Sequence, residues 1–159
     1  MDGTRKIAIL LLLAAAVPAT AQTFGFALKS SARNVCLSIG AVTYRVADAG
    51  NRPDYTVRIG PNESSPDVRV HLATAADDAD FVLVDDGGPP PRCEPRAGSA
   101  MKTVRIGADA TAPDLTVGLA AAAVADYRVY VRSERLPAET AAALFAVAQR
   151  LPRHAVAGR

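Results

Sequence analysis

Apolar and polar residues alternate with a period of two along most of this chain. Val42, Tyr44 and Val46 alternate with Thr43 and Arg45, and Tyr55, Val57 and Ile59 with Thr56 and Arg58. Val68, Val70 and Leu72 alternate with Arg69 and His71, and Tyr127, Val129 and Val131 with Arg128, Tyr130 and Arg132. Leu115, Val117 and Leu119 add a further segment. This is the period of a strand with one face buried. Phe81-Val-Leu-Val is apolar on both phases and predicts a central strand covered on both sides. Gln22 to Ala32 is weakly patterned and reads as an entry arm or edge strand. The period changes near the C-terminus. Leu136-Pro-Ala-Glu-Thr opens a helix with proline in its first turn and Glu139 where the helix dipole favours a negative charge. Ala143, Leu144, Val147 and Leu151 share one face of it, Pro152 ends it, and 152–159 form a frayed tail.

The strands carry a repeated phrase. Thr43-Tyr-Arg-Val-Ala, Thr56-Val-Arg-Ile-Gly and Thr103-Val-Arg-Ile-Gly each lead, after five residues, to Pro53-Asp54, Pro66-Asp67 and Pro113-Asp114. At larger scale, 55–86 resembles 102–133, as Val70-His-Leu-Ala against Val117-Gly-Leu-Ala illustrates. Two copies are too few to close a propeller. Short connections favour antiparallel pairing, since a parallel crossover ordinarily takes a dozen or more residues. The predicted fold is therefore mainly β (α+β): an antiparallel sheet of two repeated three-stranded meanders with one C-terminal helix, in a single domain over 22–151. The alternative is a parallel α/β layout, in which Ala73–Ala79 and Ala120–Ala125 are short helices.

The first 21 residues change how composition is read. A basic start ending in Arg5-Lys6, the apolar run Ile7–Val17 and a small-x-small site at Ala19-Thr20-Ala21 predict a cleaved secretory signal peptide. The run is too short to span a bilayer as a helix. Its removal takes Asp2, Arg5 and Lys6 out of 18 basic and 16 acidic residues, leaving 16 and 15. A nearly neutral domain offers no electrostatic case for nucleic acid, and no later apolar run is long enough to cross a membrane. The bias to 15 Arg over 3 Lys fits a GC-rich bacterial coding sequence. The expected location is the periplasm or the exterior. The two cysteines, Cys36 and Cys93, then read as a structural disulfide, which pins an irregular stretch from Gly87 to about Met101.

Candidate chemistry is sparse. Arg45, Arg58, Arg69 and Arg105, with Arg128, Tyr130 and Arg132, fall on the polar phase and predict one basic sheet face. A guanidinium fork suits carboxylate or phosphate, so that face is the candidate surface for an anionic ligand or an envelope partner. Asp77, Asp78, Asp80, Asp85 and Asp86 form a weak calcium candidate whose spacing is not that of an EF-hand loop; turn and surface chemistry accounts for them. The Pro-Asp pairs are read as turns in which aspartate accepts a backbone N–H. His71 and His154 have no catalytic set around them. No nucleophile elbow, P-loop, dinucleotide fingerprint or zinc motif occurs, and no cofactor is implied. The chain thus reads as an exported, noncatalytic binding or accessory protein. The other readings are an inhibitor of a periplasmic or envelope-degrading enzyme, and a small enzyme without a recognisable motif.

Overall fold

The computed structural model describes residues 36–48, 50–85, 93 and 98–151. The expected signal segment, entry arm and tail, with Asp86 and most of the Gly87–Met101 stretch, lie outside them. The order of elements is β1 (Cys36–Ile39), β2 (Val42–Val46), β3 (Tyr55–Gly60), β4 (Val68–Leu72), β5 (Phe81–Val84), β6 (Ala100–Gly107), β7 (Leu115–Leu119), β8 (Tyr127–Arg132) and α1 (Ala138–Arg150). The strands form one eight-stranded sheet ordered β1-β2-β6-β3-β7-β4-β8-β5. Strand β1, which the sequence pattern did not signal, pairs antiparallel with β2 through a turn at Gly40, whose φ of 62° suits a tight hairpin. Every other pairing is parallel.

The expected antiparallel meanders are therefore overturned, and the reason lies in the register. Val57, the third residue of β3, is level with Leu115, the first of β7. Val117, the third of β7, is level with Val68, the first of β4. Val70 is likewise level with Tyr127, and Val129 with Phe81. From β3 across to β5 each strand thus starts two residues further along than its neighbour, while β3 starts four beyond β6 and β6 starts level with β2. The dozen-residue rule assumes that a chain must travel back to the end of the sheet where the next strand begins. In this staggered sheet it has no way back to travel. A connection need only step sideways over one strand, about 10 Å at the usual strand spacing. Seven or eight residues do this between β2 and β3, β3 and β4, β4 and β5, β6 and β7, and β7 and β8. Ala73–Ala79 and Ala120–Ala125 contain single 3-10 turns at Ala76–Asp78 and Ala122–Val124, not the crossover helices of an α/β fold.

The strand starts share one interaction. Asp54, Asp67, Asp80, Asp114 and Asp126 each immediately precede a strand. Each donates its N–H to the carbonyl of one residue on the neighbouring strand: Thr103, Thr116, Arg128, Thr56 and Arg69 respectively. Each also accepts, on its carboxylate Oδ2, the N–H of that same residue at 2.7 Å. The carboxylate stands in for the carbonyl that a strand would supply if it had begun earlier. The sequence reading of Pro-Asp as an acceptor of a backbone N–H holds, but the N–H comes from across the sheet, 48 to 58 residues away, rather than from the local turn.

Residues on the other phase of the strands form the core, where Val57, Val68, Val70, Val104, Val117 and Val129 are fully buried. Helix α1 lies in the trough of this curled sheet and touches β1, β3, β4, β6, β7 and β8. The expected apolar stripe is too narrow a description, because the whole run from Thr140 to Ala148 is buried. A helix wrapped on all sides is apolar all round, and Ala141, Ala142, Ala143, Ala146 and Ala148 let the strands come close. Phe145 stacks on Phe81 at 4.7 Å and meets Tyr127 edge-on at 5.3 Å. Strand β5 is the edge of the sheet, not its centre. Phe81 and Leu83 pack inward, while Val82 and Val84 are 45% and 41% exposed. Among the described residues, no helix is long and apolar enough to cross a membrane.

Replacing Asp67 with Ala leaves the Thr116 amide without its charged acceptor. Urea denaturation should show a loss of about 1–2 kcal/mol with native circular dichroism retained; a loss indistinguishable from zero would remove the carboxylate from the account of stability. Asp54 adds a charge to its clasp. Partial burial works to raise its carboxyl, but the Thr103 N–H, the Lys102 ammonium and the Thr103 hydroxyl outweigh burial and hold it below its ordinary 3.8. A carboxyl lowered by folding stabilises the native state above its unfolded pKa, and that contribution disappears as pH falls through the folded value. Wild type should therefore lose stability below pH 3.8 more steeply than Asp54→Asn, and superimposable acid limbs would sink the assignment.

Candidate functional site

The polar phase of the strands forms the outer face of the sheet, opposite α1, and it carries the arginines that the alternation placed there. It is not an open plane, because connections between strands step across it. Gly118 on β7 lies so close beneath Pro66 that an added Cβ would come within 2.8 Å of the proline ring, and its neighbour Thr116 is buried as well. Arg105 donates to the Asn51 carbonyl in the β2–β3 connection at 2.8 Å. Arg58 pairs with Glu63 in the β3–β4 connection at 3.3 Å. Arg45 is half-buried between Cys36 and Thr103, and its Nε has no hydrogen-bond partner among the described residues. Arg132 is exposed beside Val84, and Tyr130 is half-buried beside Val82. Arg69 and Arg128 are exposed on the adjacent strands β4 and β8. Neither side chain has an ion pair or hydrogen bond among the described residues.

Near Arg128 two connections leave a gap between them. His71 of β4 and Arg128 of β8 are level with one another and make its floor. Ala73, Thr74 and Asp78 of the β4–β5 connection and Ala122 of the β7–β8 connection make its walls, around about 260 Å³. The His71 Nδ1 lies 3.0 Å from the Ala120 carbonyl. A carbonyl can only accept, so Nδ1 carries the proton, and in the neutral ring Nε2 is an acceptor. Sequence reasoning set His71 aside and did not consider Thr74. The signal that finds this place is the break in the repeat, where His71 stands against Gly118. At Gly118 the overlying connection packs directly onto the backbone, whereas at His71 it rests on an imidazole and leaves room beside it.

Among the described residues the acidic candidates do not converge. Asp77 and Asp78 are exposed on a 3-10 turn, Asp80 clasps Arg128, and Asp85 pairs with Arg135 at 3.3 Å and accepts from the Ser133 hydroxyl. No group of three or more potential ligands that could hold a metal ion occurs among the described residues.

Cys36 and Cys93 form the expected disulfide, with Cα atoms 5.5 Å apart and 57 residues between them in sequence. It fastens β1, at one edge of the sheet, to the stretch between β5 and β6. Its presence is compatible with an oxidising compartment. Native protein should show no titratable thiol before reduction, and Cys36→Ala should lower stability by about 4 kcal/mol in the chain-entropy account. Two reactive thiols in air-exposed native protein would contradict the bridge. Comparison of the chain with protein-family models, with curated proteins and with solved structures found no match.

Proposed function

We propose that this is an exported, noncatalytic binding protein that holds an anionic group of an envelope partner on the outer face of its sheet, through Arg69 and Arg128. One observation carries the reading. These two exposed guanidinium groups have no acid within ion-pair reach among the described residues. The nearest aspartates in the register, Asp126 and Asp80, spend a carboxylate oxygen on the backbone N–H of the same two residues. The fold therefore fixes the backbone of Arg69 and Arg128 while leaving their charge available. A planar fork on a fixed backbone suits carboxylate, phosphate or sulfate.

The test is salt-dependent retention on an immobilised sulfated polysaccharide. The pair Arg69→Ser/Arg128→Ser should elute at clearly lower salt than Arg52→Ser/Arg150→Ser, which removes the same charge from elsewhere on the surface. Equal elution of the two double variants would show that net charge, not this face, governs binding.

A further inference from the structure

The cleft beside Arg128 narrows the ligand. Two residues of opposite charge line it: Arg128 in the floor and Asp78 on the exposed 3-10 turn that makes part of the wall. They share one cleft yet make no ion pair with each other. A simple anion drawn to Arg128 meets the charge of Asp78, and a simple cation meets that of Arg128. A molecule carrying both charges satisfies both residues. The cleft's 260 Å³ falls below the range of about 300–1,000 Å³ usual for drug-sized ligands.

We propose that this cleft binds a free α-amino acid, with its carboxylate on Arg128 and its ammonium on Asp78. This deepens the anion-binding reading of the outer face and rests on it. The remaining polar groups fit the same occupant. An ammonium has three donors. Asp78, Thr74 and His71 line the cleft, and each has an acceptor to offer, the His71 Nδ1 being committed to Ala120. The methyl groups of Ala73 and Ala122 leave space for a small side chain. The cleft is also held in shape before anything binds. Asp80 accepts from the Arg128 N–H at 2.7 Å and donates its own N–H to the Arg128 carbonyl at 2.8 Å, which ties the wall to the floor. The turns bearing Asp78 and Ala122 are closed by the Ala79 N–H to Ala76 carbonyl and Val124 N–H to Ala121 carbonyl bonds. Groups fixed in advance lose less entropy when a ligand arrives.

The experiment is a nuclear magnetic resonance titration of the full chain with alanine, acetate and methylammonium at constant ionic strength. Alanine should shift the Thr74 and Ala122 amides and the His71 ring saturably, with an affinity about tenfold or more above that of acetate, and methylammonium should shift none of them. Arg128→Ser should abolish the response. Asp78→Asn, on an exposed turn where folding is not at stake, should weaken alanine binding and strengthen acetate binding. If acetate binds wild type as well as alanine does, the site takes anions only: the amino-acid assignment falls and the anion-binding reading stands. If neither probe gives a saturable shift, both fall at this cleft.

Discussion

The structure depends on a carboxylate placed one residue before a strand. A parallel strand that enters its sheet from the side, out of a connection crossing a neighbour, arrives without the preceding carbonyl that should accept the next N–H. An amide left unpaired there costs more than an ordinary hydrogen bond contributes. Asp54, Asp67, Asp80, Asp114 and Asp126 remove that cost in the same way, each closing a two-bond ring with a single residue across the sheet. Because the acceptor is a side chain, the strand can begin wherever an aspartate is placed. Five such starts, each displaced from the last, permit the staggered register.

That register has a consequence for how the two repeats relate. From β6 onward the strands of the second repeat, β6, β7 and β8, alternate with those of the first, β3, β4 and β5. No strand of either repeat pairs with another strand of its own repeat; the β1–β2 hairpin precedes both. Neither repeat can make a sheet alone, so the duplication yields one interleaved body, not two meanders. The clasps run between repeats as well: Asp67 of the first holds Thr116 of the second, while Asp114 of the second holds Thr56 of the first. The phrase Thr-x-Arg-x-Gly followed by Pro-Asp thus contains both an amide to be held and a carboxylate that holds. Helix α1 completes the body from the inner side, where its alanines lie against strands of both repeats.

Much of this was legible along the chain. Alternation located five of the eight strands and the phase that faces the core, because a half-buried strand must alternate; the repeated phrase marked β6 and the apolar run marked β5. Proline at 137 and 152 bracketed the helix. The paired cysteines implied their bridge. Pairing direction was not legible, because connection length constrains it only when strands start level, and stagger is a property of register that alternation does not encode. Phe81–Val84 was misplaced for a related reason: apolar residues on both phases mark a covered strand in most parallel sheets, and here they mark the edge. The arginines were assigned to the correct face, but nothing in their spacing revealed that connections cross it. That crossing separates Arg58 and Arg105, held by Glu63 and Asn51, from Arg69 and Arg128, which are not held.

A repeated architecture also makes its exceptions informative. Where the β3–β4 connection crosses β7, Gly118 lets Pro66 sit directly on the strand. Where the β7–β8 connection crosses β4, the matching residue is His71, whose ring takes up the Ala120 carbonyl. Both arrangements support a connection, and both fit the same backbone scheme. The imidazole differs in leaving a half-open space with a free nitrogen, a hydroxyl, a carboxylate and a guanidinium around it. The clasp supplies the frame at each strand start, so it cannot by itself distinguish one crossing from another. What distinguishes this one is the side chain under the connection, and that departure from the repeat places the candidate site between β4 and β8.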